Sequence, residues 1–113
     1  SKKQSEYDVR LFLRAKERVA ACFEADYTLE QCAKEAQCSP HALQRAFKAV
    51  VDMSFSAYLN HIRLDMAKRW LAETDLKIAE IAQRLRYSNA QNFVRSFRRQ
   101  EGMTPGEYRR TKR

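Results

Sequence analysis

The stretch Ser39-Pro40-His41-Ala42-Leu43-Gln44-Arg45-Ala46-Phe47-Lys48 decides the fold. It is met again, one residue longer, at Ser88-Asn89-Ala90-Gln91-Asn92-Phe93-Val94-Arg95-Ser96-Phe97-Arg98. The match extends on both sides. Leu29, Ala33, Cys38 and Ser39 correspond to Ile78, Ala82, Tyr87 and Ser88 at an offset of 49. Leu43, Arg45, Phe47 and Lys48 correspond to Phe93, Arg95, Phe97 and Arg98 at an offset of 50, as do Met53, Ser54 and Tyr58 to Met103, Thr104 and Tyr108. An internal repeat of this kind means one supersecondary unit built twice, with one residue inserted at the start of the second copy's second helix.

Each copy reads as a short helix, a tight turn and a second helix. Thr28-Leu29-Glu30-Gln31 is a capping box, and Ser39-Pro40 combines an N-cap with Pro at the first helical position. The first helix carries a small Ala where its partner must approach closely. The second buries an aromatic and leaves basic and amide residues outward, as a helix-turn-helix laying one helix in a major groove requires. A helical bundle serving as a protein-interaction module, without specific DNA binding, fits the repeat alone.

Outward from the repeat, the pattern is all-α. With 2 Gly and 2 Pro in 113 residues, the chain lacks the turn residues of an all-β fold. A stripe of Val9, Phe12, Leu13, Val19, Ala20 and Phe23 predicts a first helix, preceded by a frayed or linking segment over residues 1–6. Phe55, Tyr58, Leu59, Ile62, Met66 and Trp70 predict a long helix over residues 54–73, roughly 30 Å in length. A final short helix starts at Thr104-Pro105-Gly106-Glu107, and Arg109, Arg110, Lys112 and Arg113 read as a flexible solvated tail. The expected parts are thus 1–6, a first helix-turn-helix subdomain 7–53, a connecting helix 54–73, and a second subdomain 74–113.

The net charge is +8, and a basic chain favours a polyanion: DNA, RNA or an acidic membrane. Residues 1–56 hold 9 Lys/Arg and 8 Asp/Glu, whereas residues 57–113 hold 13 and 6. The positive field belongs to the second half. On the first outward face His41, Gln44, Arg45 and Lys48 share one side at helical spacing. On the second stand Gln91, Asn92, Arg95, Arg98 and Arg99. Neither meets an acid before Asp52 or Glu101. Gln and Asn can bond adenine twice, and Arg can do so with guanine. Duplex DNA is the partner these faces favour.

Other classes are set aside. There is no Gly-rich phosphate loop, no paired acid/base constellation and no nucleophile–base pattern, so no catalytic residue, enzyme activity or cofactor is expected. Cys22, Cys32 and Cys38 are an odd number without a CxxC, and they read as small thiols in a reducing cytoplasm. Cys38, His41 and His61 lack a fourth ligand at supporting spacing, so no metal is expected. Trp70, Tyr58 and Tyr108 read as packing residues. No apolar run is long enough for a membrane helix. Beginning at Ser1, the chain reads as an excised domain or a processed product.

Ser39 to Lys48, Arg63-Leu64 with Ala67, Ile78 to Ala82, Phe93 with Phe97, and Thr104-Pro105 to Tyr108-Arg109 resemble the DNA-binding domain of the AraC/XylS family over residues 7–110. That resemblance implies seven helices in two helix-turn-helix subdomains joined by a long central helix. It implies recognition helices in adjacent major-groove segments, with His41, Gln44 and Arg45 reading bases in the first and Gln91, Asn92 and Arg95 in the second. Phosphates would be met by Lys48, Arg98, Arg99 and the helix starts at Thr28, Ser39 and Ser88. It further implies a bacterial, cytoplasmic, nucleoid-associated transcription activator that meets RNA polymerase and carries an N-terminal sensing or dimerising domain. The family often has Gly where Gln37, Asp52 and Arg86 stand here; only Gly102 is kept. Turns that retain a left-handed residue would cost about 1–2 kcal/mol each at Gln37 and Arg86, and less at Asp52.

Overall fold

Side-chain caps set most of the helix starts. In the computed structural model, which describes residues 1–113, the Oγ atoms of Ser1, Thr28, Ser39, Ser54 and Thr104 each accept a backbone N–H three residues on, at 3.1 Å. Seven helices result: α1 (Lys2–Cys22), α2 (Leu29–Glu35), α3 (Pro40–Val51), α4 (Phe55–Glu73), α5 (Ile78–Arg84), α6 (Ala90–Glu101) and α7 (Pro105–Thr111). The boxes predicted at Thr28 and Thr104 are both closed reciprocally, by Gln31 and Glu107. Residues 2–6, expected to fray, form the first turns of α1.

The chain divides into two compact units, Ser1–Ile62 and Arg63–Arg113, with the boundary inside α4. In the first, Phe47 is fully buried and meets Phe12, Phe55 and Tyr58 at ring-centroid distances of 5.3, 5.6 and 5.2 Å. In the second, Phe97 meets Phe93 at 5.9 Å and Tyr108 at 5.5 Å. The Phe47–Tyr58 and Phe97–Tyr108 pairs are repeat equivalents, so the duplication is one of cores as well as of sequence. Tyr58 packs in the core as expected, whereas Tyr108 and Trp70 are half-buried.

Two predicted stripes need correction. The inward row of α1 is Asp8, Leu11, Phe12, Ala15 and Val19, while Val9 and Leu13 are exposed. Counting only large apolar residues passed over a carboxylate on the buried row. In α4 the row Phe55, Tyr58, Leu59 is not continued by Met66 and Trp70. The buried residues of its second half are Leu64, Ala67 and Leu71, which serve the other unit.

The C-terminal tail is also corrected. Arg109 donates from Nε to the Leu71 carbonyl at 3.0 Å, and from Nη2 to those of Thr74 and Leu76 at 3.2 and 2.7 Å. Arg113 donates to the Thr74 carbonyl and to Asp75. Carbonyls in the last turn of a helix have no intrahelical donor, and these two guanidinium groups bond Leu71 in that turn and the Thr74 and Leu76 carbonyls just beyond α4. Cys32 is buried, Cys22 and Cys38 are half-buried, and all three thiols are free. No helix is long and apolar enough to cross a membrane.

Candidate nucleic-acid interface

The turn between α2 and α3 is built on a left-handed residue. Gln37 has φ 62°, its N–H bonds the Lys34 carbonyl at 3.1 Å, and the Cys38 N–H bonds Ala33 at 3.0 Å. The turn between α5 and α6 repeats this atom for atom. Arg86 has φ 66°, its N–H reaches Gln83 at 3.1 Å, and the Tyr87 N–H reaches Ala82 at 3.0 Å. Both second helices end on further left-handed residues, Asp52 at φ 54° and Gly102 at φ 78°. The chain therefore keeps the backbone that glycine would serve and carries side chains at Gln37, Asp52 and Arg86, with glycine only at Gly102.

Side-chain bonds tie the end of α2, where the first turn begins, to α1. Arg14 donates to the Ala36 carbonyl at 3.1 Å, and Arg18 pairs with Glu35 at 2.9 Å. Tyr27 donates its hydroxyl to the same carboxylate. This contact and the Arg18 guanidinium hold Glu35 below the usual carboxylate range. Burial, and then the bond to Glu35, push the Tyr27 phenol well up.

With Leu43, Ala46 and Phe47 turned inward, His41, Gln44, Arg45 and Lys48 lie exposed on α3. They are not equally free. Gln44 accepts the Phe55 N–H on Oε1 at 2.8 Å, which caps the start of α4. What remains for a base is chiefly its amide donor. Arg45 holds its Nε 3.6 Å from the buried Asp8 carboxylate. Lys48 pairs with Asp52 at 2.6 Å.

On α6, Phe93, Ser96 and Phe97 face inward, and Gln91, Arg95, Arg98 and Arg99 are exposed. Gln91, Arg95, Arg98 and Arg99, with Ala90 and Val94, line a shallow depression. Asn92 is half-buried and engaged on both ends: Nδ2 donates to Ser88 Oγ at 2.5 Å, and Oδ1 accepts from Arg95 Nη1 at 3.2 Å. The expected helix start at Ser88 is corrected. Asn89 is the N-cap, accepting the Asn92 N–H at 2.7 Å. The inserted residue of the second copy lies in this turn and moves the cap one position on. Thr28 and Ser39 cap their helices as expected, with their hydroxyl oxygens committed to backbone N–H groups. Residue type alone does not reveal such commitments. The signal for Asp8 was its spacing of three and four residues from Leu11 and Phe12.

The charge follows the units. Residues 1–62 hold 9 Lys/Arg and 8 Asp/Glu, and residues 63–113 hold 13 and 6. Each unit presents an acid-free helix face with hydrogen-bonding side chains, of the size and polarity a major groove accepts.

A family model described as a helix-turn-helix domain matches residues 32–111. The chain is 47% identical over 91 residues to an uncharacterized HTH-type transcriptional regulator, YtdP of Bacillus subtilis, covering 80% of this chain and 12% of that one. It is 30% identical over 95 residues to the HTH-type transcriptional activator RhaR of Enterobacter, covering 84% of this chain and 34% of the relative. The chain thus spans about a third or less of these relatives' lengths. In fold it is similar to a transcriptional regulator of Chromobacterium violaceum described by its AraC-type DNA-binding domain. The TM-score is 0.87 at 24% identity, covering 90% of this chain and 91% of that one. Two helix pairs with matching left-handed turns, one aromatic core per pair and the family model over residues 32–111 lead to one assignment: the chain belongs to this helix-turn-helix family, in the fold of an AraC-type DNA-binding domain.

Proposed function

We propose that this domain binds duplex DNA sequence-specifically, laying α3 and α6 each in a major-groove segment, as part of a bacterial transcription activator. The observation that carries this reading is the pair of acid-free faces, each on the second helix of a helix-turn-helix. Direct base contacts come from His41, Arg45, Gln91 and Arg95. Gln44 contributes its amide donor, and Asn92 acts through its bonds to Ser88 and Arg95 as well as through any base edge it meets. Lys48, Arg98, Arg99 and the N–H groups at the starts of α2, α3 and α6 meet phosphates.

The name of RhaR supports activation, and contact with RNA polymerase belongs to that role. The relatives' greater length supports a further sensing or dimerising domain in the whole protein, which would act in the cytoplasm at the nucleoid. The reading assigns this chain binding rather than catalysis.

Selection from a randomised duplex library, with folded and single-stranded RNA as competitors, tests the function. The expected result is an enriched duplex site that RNA does not displace. Arg45→Ala or Arg95→Ala then costs about 1–3 kcal/mol on that site and relaxes the preference at one base pair. No enrichment together with a stoichiometric protein complex, or displacement by RNA, overturns it.

A further inference from the structure

Asp8 is an acid in an unusual place. It lies on the inward row of α1 with only 4% of its surface exposed, beneath a helix face that carries no acid until Asp52. A buried carboxylate without partners costs several kcal/mol, and an apolar residue of similar size is often the more stabilising choice there. Stability therefore does not explain a carboxylate on a row otherwise made of Leu11, Phe12, Ala15 and Val19. Its contacts do. Gln4 donates from Nε2 to Asp8 Oδ1 at 3.1 Å, and the same oxygen lies 3.6 Å from Arg45 Nε.

We propose that Asp8 is a positioning residue for base recognition: it holds the Nε edge of Arg45 so that the two Nη groups are presented to a guanine. This rests on the duplex-DNA reading above. Guanidinium has a rigid fork of five donors, and a partner on Nε restricts rotation of the plane while leaving the Nη pair available. A guanidinium beside a carboxylate is the weaker phosphate clamp, because part of its charge is offset. It keeps its geometry for the O6 and N7 acceptors of guanine. Gln4 has the matching task of holding the carboxylate from one turn back on α1. Arg95 is held differently, by the neutral Asn92, so its charge is not offset in this way.

The test uses the full chain on its selected duplex and on variants of each base pair. Arg45→Ala first identifies the base pair whose preference depends on Arg45. Asp8→Asn is then expected to lower discrimination at that pair about tenfold, within the range of one bidentate contact. Discrimination elsewhere stays unchanged, and Asp8→Asn has no further effect in the Arg45→Ala background. A parallel loss on every duplex marks Asp8 as merely structural and overturns the proposal. Tighter binding to every duplex marks it as a competitor with DNA and also overturns it. If Asp8→Asn does not fold, the Arg45 Nε–H resonance of the wild type decides: protection from solvent exchange supports the pairing, and rapid exchange overturns it. Wild-type binding without sequence preference would instead sink the duplex reading itself.

Discussion

Lys48 places its Nζ 2.6 Å from the carboxylate of Asp52, the residue that caps the end of α3, and this pair limits how much positive field the first helix face offers. The bond to Lys48 and its charge hold the Asp52 carboxyl below the usual range. Arg98, the repeat equivalent of Lys48, has Gly102 at the corresponding place. Salt dependence counts the phosphate charges neutralised. Arg98→Ala is therefore expected to flatten the salt slope of DNA binding by about one unit, and Lys48→Ala by less. Asp52→Gly is expected to steepen it. Salt titrations of the three variants check this, and a greater effect from Lys48→Ala sinks it.

The left-handed turns give a stability prediction. Gln37 is exposed at φ 62°, so Gln37→Gly relieves backbone strain at little cost in contacts. An increase of about 1 kcal/mol is expected. Gly102→Ala is the reverse probe. A methyl group there meets nothing within 4 Å, so its expected loss of about 1–2 kcal/mol is backbone strain alone. Urea unfolding with unchanged m-values would verify both.

Arg109 links α7 to three carbonyls at the end of α4 and just beyond it. Arg109→Ala is expected to cost about 2–3 kcal/mol, since bonds from a charged donor are lost and partly buried carbonyls lose their partner. Arg110→Ala, on an exposed side chain, should stay within about 0.5 kcal/mol of wild type. Thermal melts of the two would separate them, and equal effects would contradict the stapling role.

Acid and base should each loosen the first unit. The folded-state value of Glu35 lies below its ordinary 4.5, so its contribution is present above that pH and lost as pH falls through the lowered value. Tyr27, Cys32 and Cys38 are raised above their ordinary 10.0 and 9.0, chiefly by burial. Their contribution is present below those values and lost as pH rises past them. The melting temperature is thus expected to hold from about pH 5 to 9 and fall on both sides. Tyr27→Phe, which removes the phenol and its bond to Glu35, should make both limbs shallower.

Much of the fold was legible because its signals are local. Thr28, Ser39-Pro40 and Thr104-Pro105 each announce a helix start within four residues, and the repeat announces itself twice. Tertiary demands were harder to read. Val9 and Leu13 look like a core stripe until the inward acid Asp8 is placed among them. Met66 and Trp70 continue the period of Phe55, Tyr58 and Leu59 in α4 only if the helix serves one core, and Leu59 and Leu71 serve two. The reading faces were visible as residue types. That Gln44 is lent to the Phe55 N–H and Arg109 to the Leu71 carbonyl depends on partners brought near only by folding.

Each helix pair closes over its own aromatic cluster, around Phe47 in one and Phe97 in the other. Damage is therefore expected to stay local. A cavity beside Phe97 would loosen the strongly basic face and leave the nearly neutral one framed by Phe12 and Tyr58. Drift in one half can be tested by selection while the other keeps its grip, which gives a duplicated reader a way to change its site one word at a time.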